Sequence, residues 1–234
     1  MFQTDPFALI VVLVGLSLVP FVAMIATSYL KIVVVMSLIR NALGIQSIPP
    51  NMVVNALAMI LTFYIMAPVA SESWGAIVES QKTMAAAQGK PASQPANAQE
   101  PATFNLSSLN REAASEPFRK FLSDHTAPRE RAFFVKTAET LWGKDGEPAV
   151  VDSESFWILL PSFCVSELTK AFQIGFLVYL PFIAIDIIVS NILLAMGMMM
   201  VSPVTISLPF KLLLFVMVNG WTLLVQGLVK GYII

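Results

Sequence analysis

The sequence predicts an all-α, membrane-associated protein: two apolar helical hairpins with broken helices, separated by a small polar helical insertion. Three observations carry this reading. Of 234 residues, 56% are hydrophobic and 12% charged, against about 25% charged in an ordinary soluble domain, and the mean hydropathy is +0.75. The charges are segregated: 23 fall within residues 72–170, leaving Asp5, Lys31, Arg40, Asp186, Lys211 and Lys230 for the rest of the chain. Two long runs carry no charge, 25 residues from Pro6 to Leu30 and 31 from Asn41 to Ser71. So little charge cannot cover a soluble surface, which excludes a cytosolic globular enzyme and a disordered chain. A net charge of −1 without a basic stripe excludes a nucleic-acid binder as well.

The first hairpin occupies residues 1–72. As helix, Pro6–Leu30 extends about 37 Å, longer than the roughly 30 Å hydrocarbon core of a bilayer, so it is expected to span, as is Asn41–Ser71. The first run has Asp5 instead of basic residues ahead of it and no small-residue cleavage site after it. It therefore reads as a retained segment rather than a leader. Between the runs, Gly44 suits a helix stop, Pro49 and Pro50 suit the start of the next helix, and Ser47 is the expected cap. Arg40, with Lys31 nearby and no acid in the loop, places this side in the cytoplasm by the positive-inside tendency.

Residues 73–155 form the polar insertion, expected on the opposite, periplasmic side. Residues 84–103 are rich in Ala, Gln, Pro and Ser and lack aromatics, the composition of a disordered linker. Two short helices are expected over 117–142. Glu116-Pro117 opens one, with Phe118, Phe121 and Leu122 on one face. The second has Thr126 as N-cap, Pro128 and Glu130 in its first turn, Phe134, Ala138 and Leu141 as an apolar stripe, and Gly143 as its stop. His125, between them, reads as a solvated loop side chain.

The second hairpin occupies residues 156–234. Its charge-free stretches are bounded by Lys170, Asp186, Lys211 and Lys230. Only the last, Lys211–Lys230, is an ordinary span by length. The others are interrupted by Pro161, Gly175, Pro181, Gly197, Pro203 and Pro209, with Gly197, Pro203 and Pro209 as candidate hinges. Broken helices at membrane depth need protein or a water-filled cavity to shield their backbone, so this arm is expected to pack on protein.

No catalytic residue, metal site or cofactor is expected. One cysteine, Cys164, and one histidine, His125, exclude a disulfide framework, a multi-cysteine metal site and the common zinc sets. No phosphate-binding glycine loop is present. Glu167 and Asp186 are too far apart to pair as acid and base by sequence. Ionisable residues in apolar sequence are functional candidates by default. Glu167 and Lys170 share a helix face and can pair, in a buried site or at the water boundary. Lys31 and Asp186 lack local partners and must meet an opposite charge on another helix or subunit, or snorkel to the interface. Lys211, after Pro209-Phe210, fits a helix start near the interface. The sharpest local feature is Met196-Gly-Met-Met-Met200, four of the chain's 12 methionines in five residues. Methionine is long, unbranched and adaptable. Two readings fit: a gasket closing a pore, one set per subunit, or gap-filling in helix packing.

Several ordered strings go further. Thr27-Ser-Tyr-Leu-Lys31, Arg40-Asn-Ala-Leu-Gly-Ile-Gln46, Ile48-Pro-Pro-Asn51, Ser166-Glu-Leu-Thr-Lys-Ala-Phe-Gln-Ile-Gly-Phe176, Leu180-Pro181 with Asp186, and Met196 through Lys211 together resemble the FliP/SctR family. These are inner-membrane components of the export apparatus of flagella and type III secretion injectisomes. The resemblance covers both apolar arms, about two thirds of the chain; the Ala/Pro/Gln stretch departs from the pattern. It implies a non-enzymatic role as one subunit of a homo-oligomeric ring, five copies in the usual family picture. The ring is joined by FliQ/SctS-type and FliR/SctT-type membrane subunits, and unfolded secreted proteins cross through its centre. The family's methionine triplet falls on Met198, Met199 and Met200, which implies the gasket reading. The missing leader is more similar to the injectisome branch than the flagellar one. A small-molecule or ion transporter with broken helices is the competing reading; inverted repeats would favour it, and the two arms show none.

Overall fold

The computed structural model describes residues 6–45, 49–87, 111–143 and 149–233. Among these residues it is wholly helical: α1 Pro6–Ile25, α2 Tyr29–Ala42, α3 Asn51–Ala87, α4 Arg111–His125, α5 Pro128–Trp142, α6 Phe156–Ala195, α7 Pro203–Met217 and α8 Gly220–Lys230. Ser47 and most of the 84–103 stretch lie outside the described residues; residues 84–87 continue α3.

The run expected to form one span from Pro6 to Leu30 breaks instead at Ala26–Ser28, where the chain bends by 60°. Hydroxyls compete for the backbone at this point. Thr27 Oγ1 donates to the Ala23 carbonyl at 2.8 Å, and the Tyr29 N–H turns back to Thr27 Oγ1 at 3.4 Å. The bend sends α1 away from the rest of the chain, with Leu13, Leu16, Val19 and Val22 exposed. It also brings α2 into the centre of the molecule. Ile32, Val35, Met36 and Ile39 recur at helical spacing and are all fully buried, so α2 is the spine of the larger hydrophobic cluster.

α2 ends as expected at Gly44, whose φ of +77° suits glycine. Arg40 then ties the following turn: its Nη1 donates to the Pro49 carbonyl at 3.4 Å and to Asn51 Oδ1. After Pro49 and Pro50, α3 starts at Asn51 and runs antiparallel to α2, far enough for Met66 and Val69 to pack on the smaller cluster of Phe121, Leu122, Leu159 and Phe163.

The insertion differs from expectation at three points. α4 already runs from Arg111, with Pro117 inside it rather than at its start. Packing against α3 and α6 offsets the backbone hydrogen bond that this proline forgoes. The N-cap of α5 is Ala127, not Thr126; the Thr126 hydroxyl donates back to the Leu122 carbonyl at 2.6 Å, and the Ala127 N–H is taken by Ser166 Oγ of α6 at 2.9 Å. Of the expected α5 stripe, Ala138 is buried and Phe134 half-buried, but Leu141 is 73% exposed.

The second arm breaks at Gly197–Pro203 as expected but not at the other expected places. α6 passes without interruption through Pro161, Gly175 and Pro181, about 60 Å at 1.5 Å rise per residue. Its prolines are tolerated because α2, α4, α5 and α7 all brace it. Gly175 is the point where Leu38 of α2 enters: a Cβ there would lie 2.3 Å from Leu38 Cδ1. The Lys211–Lys230 stretch, an ordinary span by length, is the one that bends, by 59° at Val218–Asn219. Asn219 takes the left-handed conformation with φ 52°, and Gly220 follows with no room for a Cβ beside the Phe215 ring.

α2 and α6 run parallel, since Lys31 meets Glu167 and Leu38 meets Gly175. α7 returns antiparallel to α6, with Ser207 beside Asp186 and Phe215 near Phe182. The start of α7 therefore sits by the 43–45 turn, and the insertion packs at the opposite end of α6.

Candidate functional site

The methionine run forms the turn that joins α6 to α7. α6 closes on Met196, Gly197 adopts φ +73°, the Gly197 N–H donates to the Leu194 carbonyl at 3.0 Å and the Met198 N–H to the Leu193 carbonyl at 2.9 Å. This pair of bonds is the Schellman closure, which needs a residue that accepts the left-handed region after the helix end. Pro203 then stands in the first turn of α7. The turn is thus mounted between the capped end of α6 and the proline start of α7 and projects its side chains outward: Met199 is 80% exposed and Met200 fully so, with Met196 and Met198 at 60% and 43%. Below it, Ile188, Ile192, Met196, Ile206 and Phe210 line an open groove of about 380 Å³ whose surface is wholly apolar. Of the candidate hinges, Gly197 and Pro203 bracket this turn, whereas Pro209 lies inside continuous α7.

The charges in apolar sequence gather into two groups. In the first, Glu167 is completely buried and receives three partners from three parts of the chain. Lys31 of α2 approaches Oε2 at 3.0 Å, Lys170 of α6 approaches Oε1 at 3.2 Å, and the Tyr232 hydroxyl donates to Oε2. Lys31 Nζ also lies 3.5 Å from the centre of the Tyr232 ring, a cation over an aromatic face. Lys170 further donates to the His125 carbonyl at 2.7 Å, closing the end of α4 onto α6. In the second group, Lys211 Nζ meets Asp186 Oδ2 at 2.7 Å, Ser207 Oγ donates to Asp186 Oδ1 at 2.5 Å, and Lys211 also donates to the Ala42 carbonyl at 3.3 Å.

The Glu167–Lys170 pair forms, with its Glu167 end buried and its Lys170 side chain 39% exposed. Lys31 and Asp186 each find their opposite charge on another helix of the same chain. Lys211 is not at a helix start near an interface; it is 4% exposed in the middle of α7. Arg40 joins neither group. His125 is not solvated but 7% exposed, tilted against the Phe121 and Tyr232 rings with centroids 4.5 and 5.0 Å away. Burial pushes its imidazole below the ordinary value of 6.5, a displacement only partly opposed by the bond to the Phe121 carbonyl and by Glu167.

Tyr232 escaped sequence reasoning entirely. It follows an apolar stretch as an isolated aromatic, and nothing local to it announces that the chain returns to Glu167, 65 positions earlier.

Chemically, both groups fasten helices; the Lys211–Asp186 group balances its charge, whereas the Glu167 group holds two cations to one carboxylate. Among the described residues no cluster of His, Cys, Asp and Glu could hold a metal ion. Two helices are long and apolar enough to cross a membrane, or up to four spans if each bent pair counts as one.

The FliP family profile matches residues 12–228. The chain belongs to the FliP family. Its relatives carry the match through the polar insertion as well. It is 49% identical over 230 residues to the Yop proteins translocation protein R of Yersinia pestis, covering 97% of each chain. It is 44% identical over 227 residues to the hypersensitivity response secretion protein HrcR of Ralstonia nicotianae, covering 96% of each. To the virulence protein YscR of Salmonella typhimurium it is 42% identical over 231 residues, covering 97% of each. As a FliP/SctR-type protein of type III secretion, it is a structural component of the export apparatus and not an enzyme. Family membership and the apolar helices together make it an inner-membrane protein that works among other membrane components of that machinery.

Proposed function

We propose that this chain is one subunit of the export gate, a closed ring, five copies by family resemblance, around a channel that unfolded proteins cross. FliQ/SctS-type and FliR/SctT-type subunits complete the assembly, and the 73–155 insertion faces the periplasm. The observation that supports this reading best is the methionine turn. Four adaptable apolar side chains are fixed on a rigid closure at the end of α6, and two of them, Met199 and Met200, find almost no cover within their own chain. Repeated around an axis, such turns meet one another and shut a small opening. Because thioethers impose no hydrogen-bond geometry, the same side chains fit around many extended sequences. α6 adds a second support. At about 60 Å it is twice the thickness of a bilayer's hydrocarbon core, so part of the apolar surface along it stands outside lipid and needs neighbouring protein.

The test is conductance of the assembled complex in planar bilayers or vesicles. Replacing Met198, Met199 and Met200 together with alanine is expected to raise small-ion leak at unchanged assembly. An unaltered leak in a complex of normal composition would count against the seal.

A further inference from the structure

His125 has a construction that the export role does not call for. Its Nδ1 lies 2.8 Å from the Phe121 carbonyl, which can only accept, so Nδ1 carries the proton and Nε2 is the basic nitrogen. Nε2 is buried and has no hydrogen-bond partner, and the ring lies tilted against both Phe121 of α4 and Tyr232 of the C-terminal tail, which stack on each other 6.1 Å apart. The charged groups that act on it come from two elements: Lys31 on α2, and Glu167 and Lys170 on α6. Glu167 already serves Lys31, Lys170 and the Tyr232 hydroxyl. On the tail, Tyr232 is held neutral because burial, then the nearby Glu167 charge, pushes its phenol far upward. A proton on Nε2 would thus place a third cation around one fully engaged carboxylate, in a slot where that nitrogen meets no acceptor.

We propose that His125 is an acid-sensitive latch: neutral, it seats the C-terminal tail through Tyr232 and closes α4 onto α6; protonated, it releases both. The sign follows from linkage. The undocked imidazole binds a proton below about pH 6.5, whereas the docked one resists it. Docking is therefore complete above that pH and weakens as pH falls, by about tenfold in the docking equilibrium per unit. The latch is independent of the pore reading, since it concerns the seating of one tail on its own chain.

The chain has a single histidine, so ring-labelled histidine in protein carrying a non-histidine tag reports His125 alone. Two measurements on the full chain in nanodiscs test the proposal. The imidazole resonance should titrate below the ordinary histidine range. Amide exchange of residues 121–126 and 228–233, corrected for the intrinsic pH dependence, should lose protection as pH is lowered from about 7.5 to about 5, by roughly tenfold per unit once below pH 6.5. In H125F, which keeps an aromatic ring in the cluster, protection should be independent of pH over this range. A normal or raised histidine titration with the tail still protected would overturn the latch, as would an H125F tail that opens with acid as the parent does. Should H125F fail to fold, the titration of the parent chain decides alone.

Discussion

Glu167 shows how much can rest on one side chain. It is fully buried and has two cations and a phenol around it, so it ties α2, α6 and the tail together. Removing one member of a buried ion pair leaves the other charge uncompensated, at a cost of about 3–5 kcal/mol. E167Q is therefore expected to lower stability by that order, read as the unfolding midpoint of the purified chain in detergent. Pairing it with K31M should recover much of the loss, because the buried Lys31 charge goes too, while Lys170, 39% exposed in its side chain, can turn to solvent. If the double variant is no better than the single one, Glu167 holds the fold by something other than charge balance. Gly175 is a second single-residue constraint. G175A should cost about 1–3 kcal/mol as overpacking, and L38A in the same chain should relieve the clash, checked by the same unfolding measurement.

Among the elements, the contrast between α6 and the α7–α8 corner is instructive. Sequence signals for breaking a helix were strongest in α6, yet its 40 residues are continuous, and the stretch with the most regular span length bends. A proline removes one hydrogen bond and crowds one turn, which packing on several sides can offset. A left-handed residue redirects the chain outright, and Asn219 does this next to a glycine that a ring has filled. G220A is accordingly expected to destabilise the corner by about 1–3 kcal/mol, because its Cβ would meet the Phe215 ring at 2.3 Å. N219G, which keeps the conformation accessible, should stay within about 1 kcal/mol of the parent. Both follow from thermal unfolding; a tolerant Gly220 would mean that the corner yields easily. The α5 cap carries the same lesson. Thr126 has the right chemistry for it, but Ser166, on a helix far along the chain, reaches the Ala127 N–H instead.

For the whole molecule, the decisive property is an apolar surface that the single chain leaves uncovered. Along each long helix that could cross a membrane, only 11% of the most apolar window is buried within the chain, and Trp157, Phe172, Phe176 and Met217 are exposed, as are the side chains of the methionine turn. A patch of this extent marks a surface meant for lipid or for other protein. If protein covers it, native mass measurement from mild detergent should give a particle of several copies with small membrane partners. A transporter built on the two bent spans would instead emerge as monomer or dimer, and that outcome would remove the ring. The sequence by itself determined the helical class, the apolar arms, the polar insertion, the Gly44 stop and the family, because composition, charge segregation and ordered motifs are properties of the chain as written. Only the tertiary structure decided which prolines are absorbed, that Lys31 and Lys211 find their carboxylates within one chain, and that Tyr232 and His125 belong to the buried cluster. Those outcomes depend on which helix faces meet across long sequence separations, and no local pattern encodes such a meeting.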